Sequence, residues 1–181
     1  MKAKKWMILL LSAVLAHSVL AGCSEETPTG SYSSFTAGTL DGGTFTQDDI
    51  KSKDLTIINY WGMFCGPCRS EMPDLAAYAK ALPDNVQLIT ICIDALNDID
   101  GTREFLNSCG YEGVTLVSGD EALASVVNQV QSFPTTVFVN SKGEVTGETI
   151  IGTQPDLAAA FTAAANKVLK AEGKAEISVA E

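Results

Sequence analysis

The chain has 181 residues, 12 Lys and Arg against 22 Asp and Glu, and a net charge of −10. That length is one domain with or without tails, and an apolar fraction of 46% is enough to fill a core, so composition excludes a wholly disordered chain. The acidic balance argues against a nucleic-acid binder, which needs clustered Lys and Arg to neutralise phosphates.

Residues 1–22 have the parts of a secretory leader. Lys2, Lys4 and Lys5 form a positive start, residues 6–15 are almost all apolar, and Leu20-Ala21-Gly22-Cys23 follows. The last four residues resemble a bacterial lipobox, in which the cysteine is lipidated and becomes the mature N-terminus. Cys23 is therefore the expected lipid anchor, with an uncleaved anchor or plain secretion as the alternatives. Loss of the leader removes three lysines and no acid, so the charge falls from −10 to −13. It also removes His17, the single histidine. This excludes a Ser–His–Asp triad, a Cys–His dyad and a His-ligated metal from the mature protein. Residues 23–34 are polar and read as a flexible tether. Residues 35–172 form the domain, and residues 173–181 read as a short frayed tail.

Within the domain, residues 35–45 predict a small β-hairpin around Asp41-Gly42-Gly43. Residues 55–60 are apolar on both faces and predict a buried central strand. Residues 69–82 predict a helix, kinked by Pro73. A second buried strand is expected over residues 86–93, an acidic loop over 94–101, and a helix over 102–109 ended by Gly110. Residues 114–117 suggest a short strand and 120–127 a short helix. Residues 135–139 predict a third strong strand, which turns at Ser141-Lys142-Gly143 into a fourth over 144–151. An Ala-rich helix over 156–171 closes the domain. This order implies an α/β fold, a mixed sheet with helices on both faces and an added N-terminal hairpin.

Sharp chemistry is left to cysteine. Four thiols remain beside Cys23: Cys65, Cys68, Cys92 and Cys109. The first two are spaced C-x-x-C, which can mean half a zinc site, a haem attachment or a redox dithiol. Haem attachment needs a following His, but Arg69 is there. A zinc site would need Cys92 and Cys109, which are not a second C-x-x-C. Placement between a buried strand and a helix favours the dithiol. Cys65 then sits where free N–H groups and the helix dipole stabilise a thiolate, with Cys68 more buried one turn on. Cys92 and Cys109 have three readings: a structural disulfide, two separate buried thiols, or a second redox relay. Met63 beside the dithiol is better read as a loop residue than as a soft metal ligand.

The run Trp61-Gly62-Met63-Phe64-Cys65-Gly66-Pro67-Cys68-Arg69-Ser70-Glu71-Met72-Pro73 resembles the active site of the thioredoxin superfamily. It is most similar to the membrane-anchored oxidoreductases of the TlpA/ResA type. Phe133-Pro134-Thr135-Thr136 matches their cis-proline loop, and Lys142-Gly143 their following turn. The resemblance covers about residues 35–169. It implies that Cys65 attacks a substrate disulfide, that Cys68 resolves the mixed disulfide, and that Pro134 is cis. Trp61, Phe64, Gly66, Pro67, Phe133 and Thr135 would line the substrate site, with Trp61 mainly packing beneath it. Glu71 is either a proton carrier for Cys68 or simply a first-turn helix acid. Asn59 stands where thioredoxin has a buried Asp. Two departures are Phe64, where Trp is usual, and Phe133, where smaller residues are common.

The resemblance implies a thiol-disulfide oxidoreductase outside the cytoplasm, with no cofactor beyond the Cys65–Cys68 disulfide and no metal. The Gly66-Pro67 pair suggests a reducing poise, by analogy with thioredoxin near −270 mV. A membrane thiol transporter would supply electrons, and disulfides of exported proteins or apocytochromes would receive them. The expected state is a monomer. A disulfide-forming oxidase or isomerase and a non-catalytic redox-responsive lipoprotein are the alternatives.

Overall fold

The computed structural model describes residues 30–179, so the leader and Cys23 lie outside it. Thirteen elements follow in order. They are β1 (Thr36–Thr39), β2 (Thr44–Thr46), α1 (Gln47–Lys51), β3 (Leu55–Trp61), α2 (Gly66–Ala81), β4 (Val86–Cys92), a 3-10 turn (Ala95–Asn97), α3 (Ile99–Ser108), β5 (Thr115–Gly119), α4 (Glu121–Val127), β6 (Thr135–Asn140), β7 (Ile150–Ile151) and α5 (Leu157–Ala171). One mixed sheet runs in the order β2-β1-β5-β4-β3-β6-β7. β3 pairs in parallel with β4, and β4 with β5, while β6 lies antiparallel on the other side of β3.

β3 is buried along its whole length, as the unbroken apolar run implies. Alternation splits its side chains between two cores. Leu55, Ile57 and Trp61 pack with Met72, Leu75, Leu106 and Phe161 under α2, α3 and α5. Ile58 and Tyr60 pack with Ile50, Leu123 and Val126 under α1 and α4. The expected α/β sheet with helices on both faces and an N-terminal hairpin is what the chain forms. Asp98, Asp120 and Asp156 cap α3, α4 and α5, each side chain accepting a first-turn N–H.

Several boundaries differ from the sequence reading. α1 was not read at all; it is one turn set by a capping box between Thr46 and Asp49, with Ile50 as its buried residue. The acidic stretch 94–101 is not one loop, because Asp98 starts α3 three residues early. α2 continues through Pro73. The fourth strand shrinks to single bridges of Glu144 with Ser31 and of Val145 with Val139, and the two residues of β7. Gly147, at φ +77°, turns the chain between them.

Both ends of the domain extend further than composition suggested. Tyr32, assigned to the tether, is 1% exposed. Its hydroxyl meets that of Tyr60, and its N–H donates to the Gly143 carbonyl. The tail is not frayed as far as residue 179. Asn166 grips Ile177 with two hydrogen bonds of 2.7 and 2.9 Å, Ile177 is buried, and Lys174 pairs with Asp54 at 2.6 Å. One apolar side chain among polar neighbours is a weak signal in sequence, yet its burial is enough to hold a short segment.

Candidate active site

The site forms where β3 ends and α2 begins. Cys65 is the N-cap of α2, and Gly66 and Pro67 open the helix. Proline fits there because the first turn has no intrahelical use for its missing N–H. The Cys68 N–H donates to the Cys65 sulfur at 3.2 Å. Cys65 and Cys68 are joined as a disulfide with Cα atoms 5.3 Å apart. Cys65 is 7% exposed and Cys68 fully buried, so an incoming group meets the Cys65 sulfur first. The helix N-terminus favours negative charge there once the bond opens.

Antiparallel pairing of β6 with β3 brings the second loop to the same end. Thr135 is the register partner of Tyr60, and the Phe133–Pro134 peptide before it is cis. The Thr135 hydroxyl donates to the Ser132 carbonyl at 2.8 Å and ties the loop. Phe133 meets Phe64 edge to face at 5.9 Å, although Phe64 remains 66% exposed. The two departures from the family pattern thus touch one another across the site. Trp61 has no exposed surface and packs on Phe105, which carries the Arg69 guanidinium on its ring. It underlies the site, as the packing reading expected, and has no surface with which to join the other residues assigned to the substrate site. Met63 is half-buried and packs against the core.

Glu71 lies one turn beyond Cys68 on the same face of α2 and is 8% exposed. Burial pushes its carboxyl up to about 7; a hydrogen bond from Asn59 opposes the shift and the charge of Asp74 adds to it. Asn59 Nδ2 donates to Glu71 Oε1 at 3.4 Å and to the Thr136 hydroxyl at 3.0 Å. The position where thioredoxin has an acid therefore contacts the acid that this chain has.

Cys92 and Cys109 are separate thiols. The disulfide reading fails on direction. Cys92 ends β4 near the dithiol, and α3 starts near that end and runs back for ten residues before Cys109. Ten residues rise about 15 Å, whereas bridged Cα atoms stand less than about 7 Å apart. The relay reading has no support either: burial first, and then Asp94, push the Cys92 thiol up to about 12. Sequence reasoning missed Asp94 by leaving it in an acidic loop. Its carboxylate accepts the Met63 and Phe64 N–H groups. The only signal for it was an acid placed directly after a buried strand.

Comparison with known proteins agrees with this geometry. The profile of the Redoxin family matches residues 25–166. The chain belongs to the Redoxin family. Among relatives, it is 27% identical over 153 residues to the thiol-disulfide oxidoreductase ResA of Bacillus thuringiensis (strain Al Hakam), covering 82% of this chain and 86% of that one. It is 23% identical over 140 residues to ResA of Bacillus subtilis (strain 168), covering 77% and 76%. A thioredoxin-family thiol:disulfide interchange protein of Chlorobium tepidum TLS shares the fold, with a TM-score of 0.60, 20% identity, and coverage of 81% and 97%. Within the Redoxin family this chain is a TlpA/ResA-like member of the thioredoxin superfamily and a thiol-disulfide oxidoreductase.

Proposed function

We propose that this oxidoreductase reduces disulfides of exported proteins while tethered outside the cytoplasmic membrane through lipid on Cys23. The observation that carries the reading is the pairing of a nearly buried helix-capping Cys65 with a fully buried Cys68 beside the Pro134 loop.

In the reduced enzyme the Cys65 thiolate attacks one sulfur of a substrate disulfide. The Cys65–substrate bond forms, the substrate S–S bond breaks, and the departing thiolate takes a proton. Cys68 then gives its proton to the Glu71 carboxylate and attacks the Cys65 sulfur. This forms Cys65–Cys68 and releases the second substrate thiolate. Two electrons have passed to the substrate. A membrane thiol transporter returns the dithiol to its reduced state. Phe64, Gly66, Pro67, Phe133 and Thr135 line the approach, and the backbone of Phe133 holds the substrate strand. The protein works as a monomer on apocytochrome or other exported thiol proteins.

The leader-like residues 1–22 and the lipobox-like stretch before Cys23 support export and anchoring. No helix of the described residues is long and apolar enough to cross a membrane.

Direction is tested by the midpoint potential of the dithiol against glutathione buffers. A value near or below about −250 mV supports the reductase, and one near about −120 to −180 mV replaces it with an oxidase or isomerase.

A further inference from the structure

β4 ends at Cys92, and the chain continues through Ile93 to Asp94. The Ile93 N–H donates to the Trp61 carbonyl at 3.0 Å, which carries the β3–β4 ladder up to the base of the dithiol loop. There Asp94 reaches across to that loop. Its Oδ1 accepts the Met63 N–H at 2.8 Å and its Oδ2 accepts the Phe64 N–H at 3.2 Å. The Cys92 thiol donates to Oδ1 from the strand side at 3.3 Å.

Residues 62–65 form a tight turn, closed by the Cys65 N–H donating to the Gly62 carbonyl at 3.0 Å. Met63 and Phe64 are its two central residues, so one carboxylate binds both of their amides. Glycine at 62 lets the turn sit this close. A Cβ there would lie 2.5 Å from the Phe64 ring and 3.2 Å from Asp94 Oδ1. The Phe64 side chain adds little restraint of its own, being mostly exposed with the Phe133 ring at its edge. Hydrogen bonds to a charged acceptor are roughly twice as strong as neutral ones.

We propose that Asp94 is a positioning residue for thiol-disulfide exchange. It holds the turn at residues 62–65 and thereby fixes where the Cys65 sulfur and the Phe64 ring stand toward the substrate. Asp94 does not touch the reacting sulfurs; it acts through the backbone that leads into the nucleophile. Exchange requires the three sulfurs to be aligned at attack, so a loosened turn lowers the rate without altering the dithiol itself. The proposal rests on the oxidoreductase reading and adds a residue that its motifs do not contain.

The test compares the full chain with its Asp94→Asn, Asp94→Ala and Cys92→Ala variants. Exchange with oxidised glutathione and with insulin is measured beside thermal unfolding and amide hydrogen exchange at Met63 and Phe64. Asp94→Ala is expected to slow exchange about 10- to 100-fold, with both amides losing protection. Asp94→Asn, which keeps one acceptor, falls between Ala and wild type, and Cys92→Ala keeps the wild-type rate. Folded Asp94 variants with wild-type rates overturn the proposal, as does slowed exchange with both amides still protected. If Asp94→Ala does not fold, Asp94→Asn decides by the same two readouts. Absence of exchange in the wild type would instead contradict the oxidoreductase reading, and the amide measurement would still test the clamp.

Discussion

Cys65→Ser is expected to abolish exchange, and Cys68→Ser to arrest it at the mixed disulfide. The asymmetry follows from burial. Cys65 caps α2 and has the little exposure that the pair possesses, whereas Cys68 has none. Attack from outside therefore begins at Cys65, and losing that sulfur removes the first covalent step. The expected loss is on the order of 10³-fold or more in turnover, because no neighbouring group replaces a nucleophile. Cys68→Ser leaves the first step intact and removes the second, so the substrate stays bonded to Cys65. Non-reducing mass spectrometry after mixing with an unfolded disulfide protein separates the two. An adduct on Cys68 in the Cys65→Ser protein, with none on Cys65 in the other variant, would reverse the assignment.

The Glu71 carboxyl is expected to make stability depend on pH in one sense and, in its proposed role, the rate in the other. Its value in the fold is about 7 against an ordinary 4.5, and burial is the main cause. The folded state thus holds this proton more tightly than the unfolded chain. Its contribution is fully present below pH 4.5 and is lost as pH rises through 7. At 1.36 kcal/mol per pKa unit the change is about 3 kcal/mol. Urea unfolding between pH 4 and 8 should show that decline in the wild type and a flatter profile in Glu71→Gln. The proposed role as proton acceptor for Cys68 requires the opposite form. Only the carboxylate can take the Cys68 proton, so the resolving step should slow as pH falls below 7, and Glu71→Gln should accumulate mixed disulfide at every pH. Identical pH profiles for wild type and Glu71→Gln would remove Glu71 from both roles.

The parts of the fold legible in sequence were those whose burial is continuous along the chain. β3, β4 and β6 each present an apolar run buried on both faces, and such runs need no knowledge of their partners. The C-x-x-C pair was legible because its spacing and its place between strand and helix are local. What escaped was set by distant residues. Cys92 and Cys109 looked pairable until the direction of α3 separated them. Asp94 grips a loop about thirty positions earlier in the chain. Phe64 and Phe133 were each noticed as a departure, but their contact depends on how β6 docks beside β3. Tyr32 and Ile177 were hidden by polar neighbours, and each is buried by a surface that composition does not reveal. Glu71 was half legible: its position after Cys68 is in the motif, while its high pKa comes chiefly from a burial that only the folded surroundings supply.

The most direct test of the account is a redox titration of the protein in glutathione buffers with its thiols counted by mass after alkylation under denaturing conditions. One dithiol should titrate as a single two-electron step at Cys65 and Cys68. Cys92 and Cys109 should count as free thiols at every potential. A titration in which all four thiols change together would contradict the separation of the second pair, and one in which Cys65 and Cys68 never change would contradict the redox site itself.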